Sequence, residues 1–413
     1  MPSLTSSNIL EQRVRGLFTA ALLLVAATGC DTLLTAAPDD GELFDAPVEG
    51  LSTEEMAAFV RGDEEFGRRF AASTGLGPIF NNVSCASCHS GDGRGRLDNA
   101  LHRIGTAADA FLGSLGGPQI QDKAIPGAYA ESVPSGTAVS VRLPPPVFGV
   151  GLIEAIPESA ILANADSADA DRDGISGRPN WVYAADYVPA GTPGGGAERR
   201  LGRFGRKAQT SNLVEQTVGA YSQDMGITSD FLPVEVTNPS SVAQTLAADR
   251  VPDPEVTSST VASVVHYIRT LAPPRPGSES SAVAEGRTHF ERIGCARCHT
   301  PAFTTGTSVV TALTGQRVEL YSDLLLHDMG DELADGRPDG EASGREWKTP
   351  PLWGLRLMRQ FLNGDAFLLH DGRARTVDEA IRMHGGEGRA ARDAYVALPE
   401  AQRATLLKFV ESR

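Results

Sequence analysis

Two short motifs in the sequence place cysteine and histidine at the spacing that attaches haem. Residues 85–89 read Cys-Ala-Ser-Cys-His, and residues 295–299 read Cys-Ala-Arg-Cys-His. In this pattern two thiols add across the haem vinyl groups, and the following histidine reaches the iron from the same side. Chance would place two such motifs in about 10⁻⁶ of chains of this composition. The predicted thioether cysteines of two c-type haems are Cys85, Cys88, Cys295 and Cys298.

The histidines of these motifs, His89 and His299, are the predicted proximal iron ligands. A ligating histidine usually donates its second ring nitrogen to a backbone carbonyl, and the carbonyl of Pro301 is the candidate partner for His299. After the first motif, Arg94 and Arg96 could pair with haem propionates or could simply be solvated. Two half zinc sites are the alternative use of the cysteines, but zinc would not require a histidine after each pair.

The distal ligand of the second haem is predicted near the C-terminus. Residues 376–379 (Thr-Val-Asp-Glu) form a capping box that opens a helix, and the glycines at 385–386 favour its end. His384 lies on the apolar face of this helix, which makes it the preferred iron ligand. Met383 points elsewhere and is the second candidate, and His327 is the third. A helix-terminal histidine without a ligand role is the alternative.

The sequence offers the first haem no equally good distal ligand. His102 and Met225 are the weaker candidates. An open sixth position would let peroxide or another substrate bind the iron, and such chemistry needs an acid–base group. Glu154 is the predicted catalytic residue, because the apolar residues around it would raise the pKa of its carboxyl group. An ordinary first-turn helix carboxylate is the alternative.

A calcium-type loop is predicted at residues 169–174, which read Asp-Ala-Asp-Arg-Asp-Gly. Asp169, Asp171 and Asp173 alternate as the first ligands of such loops do. The twelfth position is Asn180 rather than glutamate, so backbone carbonyls would have to complete the coordination. A solvated Asp-Gly turn is the alternative.

The N-terminus has the form of a bacterial lipoprotein signal. Two arginines precede an apolar run at residues 17–27, and residues 27–30 read Ala-Thr-Gly-Cys. This run is too short for a bilayer, which needs about 20 apolar residues. We expect residues 1–29 to be removed and Cys30 to be acylated, with residues 30–50 as a tether. The alternative is an ordinary secretory peptide with a stray cysteine. The predicted location is the periplasmic or cell-surface side of a bacterial membrane, reached through the lipid anchor alone.

The charge of the chain restricts its partners. Of 413 residues, 52 are acidic and 37 are lysine or arginine, so the net charge is −15. Removal of the signal makes the chain one unit more negative. Nucleic acid is therefore not an expected partner. An acidic surface would instead attract a basic electron-donor protein, such as a small cytochrome or a cupredoxin.

A helix is predicted directly before each haem motif, at residues 52–70 and 280–293. The proline-rich segment 273–277 separates the two helix-and-motif units. We therefore expect an N-terminal haem domain at 51–272, which includes the calcium-type loop, and a C-terminal cytochrome c domain at 273–413. The fold class expected is mainly α, with two cytochrome c-like domains, long loops and little β. Residues 91–150 are predicted to be mostly loops and short helices, and 152–164 a helix.

Several segments together resemble a family of di-haem oxidoreductases that is similar to bacterial di-haem cytochrome c peroxidase. The similarity covers about residues 50–413. The segments that carry it are 77–81 (Gly-Pro-Ile-Phe-Asn), 173–178 (Asp-Gly-Ile-Ser-Gly-Arg), 202–205 (Gly-Arg-Phe-Gly), 224–226 (Asp-Met-Gly), 326–330 (Leu-His-Asp-Met-Gly), 370–372 (His-Asp-Gly) and 384–387 (His-Gly-Gly-Glu). The resemblance implies two cytochrome c-like helical domains that face each other with calcium between them.

The resemblance also implies roles for individual residues. In the peroxidases, a segment similar to 370–372 precedes a helix with the distal ligand of the C-terminal haem, and that position matches His384. Histidine in place of their methionine implies a lower haem potential. Their peroxidatic glutamate is similar in setting to Glu154. Arg206 stands where closer relatives would have an aromatic residue, so a tryptophan relay between the haems is not expected.

The function implied is that of a peroxidase-like oxidoreductase. The C-terminal haem would take electrons from a donor, and the N-terminal haem would reduce a small oxidant such as hydrogen peroxide. A non-catalytic periplasmic electron-transfer cytochrome is the alternative, with both irons six-coordinate. A third possibility is a haem enzyme of the oxygenase type, which would need a large apolar pocket beside an open iron.

Overall fold

The structure is a computed structural model that describes residues 41, 43–89, 91 and 93–413. The predicted signal at 1–29, the acylated Cys30 and half of the tether lie outside the described residues. Residues 41–413 form one compact unit. Helices, with 3₁₀ turns included, hold 35% of the described residues and strands 11%, so helix exceeds strand as expected, but the fold is mixed rather than mainly α. None of the helices in the described part of the chain combines the length and the apolar character that a bilayer crossing requires.

The helices follow one another along the whole described chain. They are α1 (Thr53–Gly67), α2 (Cys85–Cys88), α3 (Val150–Ala155), α4 (Glu158–Leu162), α5 (Leu213–Met225), α6 (Val242–Ala248), α7 (Ser258–Thr270), α8 (Ser281–Arg292), α9 (Leu355–Phe361), α10 (Val377–Arg382), α11 (Arg389–Ala397) and α12 (Glu400–Glu411). The helix predicted at 152–164 is divided into α3 and α4. Pro157 lies at the division, since proline disfavours a helical conformation in the residue before it.

The helices that precede the haem motifs begin at the predicted caps. The Ser52 hydroxyl accepts from the Glu55 backbone N–H at 3.2 Å, and the Glu55 carboxylate accepts from the Ser52 N–H at 2.8 Å. Ser280 caps α8 with one bond, in which its hydroxyl accepts from the Val283 N–H at 3.3 Å. Such caps satisfy N–H groups that have no partner within the helix. Local sequence therefore determines where both helices begin.

Each of these helices packs closely against a second helix through one glycine. A Cβ atom at Gly62 in α1 would lie 2.3 Å from the Ser263 carbonyl oxygen of α7. A Cβ atom at Gly286 in α8 would lie 2.0 Å from the Thr405 carbonyl oxygen of α12. Both distances are too short for any side chain, so glycine is required at both positions. Each of the two motifs thus follows the first helix of an equivalent pair, α1 with α7 and α8 with α12.

The strands are short and form small antiparallel sheets. They are β1 (Ile79–Phe80), β2 (Leu101–Ile104), β3 (Gln119–Ile120), β4 (Lys123–Ala124), β5 (Val139–Arg142), β6 (Trp181–Val182), β7 (Arg200–Leu201), β8 (Phe303–Thr304), β9 (Arg317–Val318), β10 (Leu326–Asp328) and β11 (Glu346–Lys348). The expectation of mostly loops and short helices at 91–150 is incomplete, because β3, β2 and β5 form a three-stranded sheet there. Strands of two to four residues carry too little alternation to be recognised in sequence.

The largest hydrophobic cluster draws on residues from both sides of the proline-rich segment. Phe66 of α1 and Val264 of α7 belong to it, and so do Phe303, Leu324 and Trp353. A second cluster lies around Phe290 of α8 and Phe409 of α12. The two helix pairs therefore have different cores, while the loops after residue 300 extend the first core. The domain boundary at 273 stays a prediction.

Candidate haem-binding site

The four residues Cys85–Cys88 of the first motif form a single helical turn, α2. Ser84 caps α2 by accepting from the Ser87 backbone N–H at 3.1 Å. His89 follows the turn, and its Nδ1 donates to the Gly93 carbonyl at 3.4 Å. Burial lowers the pKa of His89 to about 4, although the carbonyl groups of Gly93 and Pro145 favour the charged form. His89 is therefore neutral near pH 7, which is the form of histidine that binds metals.

The second motif is built in a similar way. Residues 295–297 form a 3₁₀ turn, and the Nδ1 of His299 donates to the Tyr321 carbonyl at 2.8 Å. The prediction that the Pro301 carbonyl is the partner of His299 is wrong, because this carbonyl accepts from the Tyr321 N–H at 3.3 Å instead. Burial lowers the pKa of His299 to about 4, and the charge of His384 acts in the same direction. The hydrogen bond to Tyr321 orients the ring so that Nε2 remains available for iron.

His384, the predicted distal ligand of the second haem, lines the same cavity as His299. It follows the C-terminal end of α10, and its Nδ1 donates to the Ala380 carbonyl at 2.7 Å. Within the described chain Nε2 makes no hydrogen bond, and burial lowers the pKa of the ring. Met383, the second candidate, instead packs against the hydrophobic cluster around Leu362 and Phe367. Of the two, His384 is the side chain that reaches the same cavity as His299.

His327, the third candidate, has both ring nitrogens engaged by carboxylates. Nε2 lies 2.8 Å from Asp323 Oδ2, and Nδ1 lies 2.6 Å from Glu387 Oε2. Burial opposes the charged form, but the hydrogen bonds to Asp323, Cys298 and Glu387 outweigh it and raise the pKa of His327. The ring is thus an imidazolium between two anions, beside the Cys298 sulfur at 3.6 Å. In this arrangement His327 has no nitrogen left for iron.

A single cavity of about 430 Å³ lies between these groups. Both cysteine–histidine motifs and His384 line it, and most of the remaining wall is apolar. The chemically distinctive lining residues are Cys85, Cys88, His89, Cys295, Cys298, His299 and His384. Apolar side chains that complete the wall include Phe66, Ile153, Phe204, Val264 and Met358. Thiols, neutral imidazoles and an apolar wall are the donor set and the surface that a haem requires, so these residues fit two haem groups.

The similarity of the chain to known proteins agrees with this chemistry. The model of the family described as "di-haem oxidoreductase, putative peroxidase" matches residues 23–110 and 129–413. The chain belongs to this family. No curated protein matches the sequence at a significant level. The family implies haem cofactors and an oxidoreductase activity.

Solved structures with a similar course of the chain have low sequence identity. One is hydrazine synthase of Kuenenia stuttgartiensis pressurised with xenon, which is 15% identical with a TM-score of 0.38 and covers 92% of this chain and 96% of its own. Another is a MauG-like protein associated with microbial copper homeostasis. It is 15% identical with a TM-score of 0.38 and covers 92% of this chain and 94% of its own.

In this family member, the predicted catalytic carboxylate forms a buried ion pair. Glu154 Oε2 lies 2.6 Å from Arg269 Nε, and Oε1 lies 3.1 Å from Nη2 of the same guanidinium. The side chains of Glu154 and Arg269 are 4% and 11% exposed. The expected apolar setting is therefore wrong, because a cation contacts both oxygens. Glu154 is also not one of the described residues that line the cavity. Its catalytic role stays a prediction.

The candidate distal ligands of the first haem are separated by the fold. His102 lies in β2, opposite Ile120 and Val141, and it is not part of the described cavity lining. Met225 is buried at the end of α5 and does line the cavity. Of the two candidates, Met225 is therefore the one placed where a haem ligand could act.

The acidic loop forms a cluster that differs by one residue from the predicted set. Carboxylate oxygens of Asp166, Asp169 and Asp171 lie within 4.8 Å of one another. Asp173 is directed away from this cluster and forms an ion pair with Arg297 at 3.0 Å. Sequence reasoning missed Asp166, which lies three residues before the recognisable pattern. The calcium site stays a prediction.

The same loop is joined to the C-terminal part of the chain by three side chains. Besides the Asp173–Arg297 pair, the Ser176 hydroxyl donates to Glu387 Oε1 at 2.7 Å, and Arg178 pairs with Glu346 at 2.6 Å. Glu387 thus bonds both Ser176 and His327. Sequence reasoning quoted Glu387 only as part of a motif, and the signal for its role was its position three residues after His384.

Another group of carboxylates lies around α6. Oxygens of Glu235, Asp249, Asp253 and Glu255 lie within 4.8 Å of one another. Burial raises the pKa of Glu235 to about 9, and the neighbouring carboxylates add to this effect. Glu235 is therefore protonated near pH 7.

Proposed function

We propose that this chain is an exported di-haem c-type cytochrome that acts as a peroxidase-like oxidoreductase. The C-terminal haem would accept electrons from a donor protein. The N-terminal haem would pass them to a small oxidant such as hydrogen peroxide. The observation that carries the proposal is that both cysteine–histidine motifs line one cavity, since two redox groups in one cavity can exchange electrons without a further carrier.

The two halves of the cavity differ in the side chains that could hold iron. On the C-terminal side, His299 and His384 are each oriented by a backbone carbonyl, which leaves one nitrogen of each ring for the metal. Two histidine ligands produce a closed, low-potential site suited to electron entry. On the N-terminal side, His89 is oriented in the same way, and His370 also lines the cavity, but its ring is stacked on Trp347 and its Nε2 lies 3.8 Å from Asp371 Oδ2. That side is the better candidate for binding a substrate.

The Asp323–His327–Glu387 group would support the C-terminal site without touching the iron. The imidazolium is bound from both sides by carboxylates, at 2.8 and 2.6 Å, and it contacts the Cys298 sulfur. The side chains of Asp323, His327 and Glu387 are 1%, 3% and 12% exposed, so the charges are compensated within the protein. This arrangement fixes the peptide next to the second motif. It would also exclude water from that face of the haem.

The ligation state of each iron tests the proposal. The mature protein, expressed with its signal and a c-type maturation system, should retain two haems after acid–acetone extraction. Paramagnetic resonance of the oxidised protein should then show one low-spin haem, and the other haem should bind cyanide or peroxide. Loss of haem on extraction would refute covalent attachment. Two low-spin haems that stay closed to both ligands after one-electron reduction would refute the peroxidase.

The second candidate function is a non-catalytic electron-transfer cytochrome. The observation that favours it is the ion pair of Glu154 with Arg269. Glu154 is the only carboxylate that the sequence assigned to peroxide chemistry, and in this pair both of its oxygens already bind a cation. Met225 would then supply the distal ligand of the first haem. In that case, the Met225→Ala variant should convert the first haem from low spin to high spin.

Location and partners belong to the same proposal. Acylation at Cys30 would anchor the protein to a bacterial membrane on its periplasmic or outer side. A small basic cytochrome or a cupredoxin would be the donor, because the chain has a net charge of −15. Mass spectrometry of the mature protein should show a lipid-modified Cys30 as the first residue. An intact N-terminus would contradict the anchor, and electron transfer that is independent of ionic strength would contradict the basic donor.

A further inference from the structure

Three cationic side chains meet at the wall of the cavity without a carboxylate partner. Arg94, Arg206 and Lys348 all line the cavity, and Arg94 is only 8% exposed. In the described chain, none of the three forms an ion pair. Arg94 donates to the Leu369 carbonyl, and Lys348 Nζ donates to the Arg203 carbonyl at 2.7 Å.

Arg206 follows the same pattern. Its guanidinium donates to the Leu143 carbonyl at 2.8 Å and to the Pro144 carbonyl at 3.5 Å. A backbone carbonyl orients a cation but does not neutralise it. Asp371, whose charge favours the charged forms of both arginines, is itself paired with Arg373 at 2.6 Å. The cluster therefore carries positive charge that no carboxylate contacts.

The charge of Arg206 also disfavours the charged forms of the other two cations. Burial lowers the pKa of Arg206 to about 10 and that of Lys348 to about 7, and the charge of Arg206 adds to the effect on Lys348. Burial and Arg206 likewise lower the pKa of Arg94. Uncompensated buried charge is costly, so an anion in the cavity would stabilise this arrangement. A haem carries two anionic groups, its propionates, at one edge of an otherwise apolar ring.

The position of the cluster identifies the haem concerned. Arg94 follows His89 closely in the sequence, and the charge of Arg206 acts on the His89 ring. Arg206 binds the Pro144 carbonyl, and the adjacent Pro145 carbonyl is a partner of His89. We propose that Arg94, Arg206 and Lys348 bind the propionates of the haem attached at Cys85 and Cys88. The inference rests on the proposed di-haem function and adds the groups that hold the N-terminal haem.

The three cations of this site come from two different parts of the chain. Arg94 and Arg206 belong to the N-terminal part of the chain, whereas Lys348 ends β11, which pairs with β10 and lies beyond the proline-rich segment. The haem of the first motif would thus take one of its counter-charges from the C-terminal part. A positive charge near a haem favours the reduced, less positively charged iron. Lys348 would therefore raise the potential of the N-terminal haem.

The test is made on the full-length di-haem protein with Lys348→Met. Removal of this cation should change the ratio of ferric to ferrous N-terminal haem about tenfold at a fixed potential, which lowers its midpoint by about 59 mV. The propionate bending bands in the resonance Raman spectrum should shift as well. Lys408→Met removes an exposed lysine charge and is the matched control. Lys348→Arg keeps the charge and should preserve the midpoint. Arg206→Gln provides a second, independent variant if Lys348→Met does not fold.

The outcomes separate this inference from the proposed function. If Lys348→Met and Arg206→Gln retain two haems with midpoints and propionate bands equal to those of Lys408→Met, the propionate site is refuted and the di-haem function stands. A shift confined to the C-terminal haem also refutes it. Altered binding of an added organic anion, with unchanged propionate bands, would assign the cluster to a substrate instead. A wild-type protein without covalent haem would overturn both proposals.

Discussion

The role of Glu154 can be decided by a double-mutant cycle with Arg269. Both side chains are largely buried and joined by two contacts, at 2.6 and 3.1 Å. Replacing one partner of a buried ion pair leaves the other charge without compensation and typically costs about 3–5 kcal/mol. Glu154→Gln should therefore lower the free energy of unfolding by about this amount, because arginine cannot release its proton.

The opposite single variant should be less costly. In Arg269→Met the carboxyl group of Glu154 can take up a proton, which removes the buried charge. The double variant Glu154→Gln/Arg269→Met leaves no buried charge, and it should be more stable than Glu154→Gln. Urea unfolding followed by far-ultraviolet circular dichroism provides the free energies. The interaction energy of the cycle should be about 2 kcal/mol or more in favour of the pair.

Peroxide turnover measured on the same variants separates a structural from a catalytic carboxylate. If the pair is structural, folded Glu154→Gln and the double variant should both turn over within a few-fold of wild type. A positioned acid–base group would instead contribute about 10² to 10⁴ in rate. The structural interpretation is wrong if Glu154→Gln unfolds at the same urea concentration as wild type but loses turnover by that factor.

Three further predictions follow from the site and the acidic clusters. His384→Ala should convert the C-terminal haem from low spin to high spin in paramagnetic resonance, while His384→Met should keep it low spin and raise its midpoint potential; an unchanged spectrum in His384→Ala would exclude it as ligand. Calorimetry should detect calcium binding, and the variants Asp169→Asn and Asp171→Asn should each abolish it. Asp173→Asn should leave calcium binding intact, because Asp173 pairs with an arginine. Equal loss of binding in all three variants would contradict the observed cluster. The folded pKa of Glu235 is about 9, above the usual value of 4.5, so its contribution to stability falls as pH rises from about 4.5 to 9. Glu235→Gln should therefore be more stable than wild type by about 2 kcal/mol at pH 8, after allowance for partial exposure, and equal to it near pH 4.5; equal stability at both would refute the raised pKa.

Local sequence predicts the parts of the structure that depend on short spacings. The capping box at Ser52 is found where it was expected, since a cap requires only residues three positions apart, and the second helix begins at the predicted Ser280. The same holds for the position of His384, which helical periodicity directs toward the second motif. Contacts between distant residues were not predictable. Glu154 meets a guanidinium 115 positions away, and nothing in its apolar neighbourhood indicates that cation.

The Asp323–His327–Glu387 group illustrates the same limit. His327 and Asp323 are four residues apart, but Glu387 lies 60 positions further along the chain. As an isolated histidine, His327 is a reasonable ligand candidate. Only the fold reveals that both of its nitrogens are bound by carboxylates. Sequence patterns identify which residue types are available, whereas competition between partners is decided by tertiary packing.

The cross-links of the acidic loop bear on how the molecule would respond to proteolysis. Asp173, Ser176 and Arg178 all bond residues beyond position 290. The proline-rich connection 273–277, in which Arg275 and Pro276 are exposed, is a candidate place for a protease to cut. After such a cut, the loop would remain attached to the other fragment by two ion pairs and a hydrogen bond, in addition to the shared hydrophobic core. A nicked molecule should therefore migrate as one particle on a sizing column, and its two haem-bearing pieces should separate only when it is denatured.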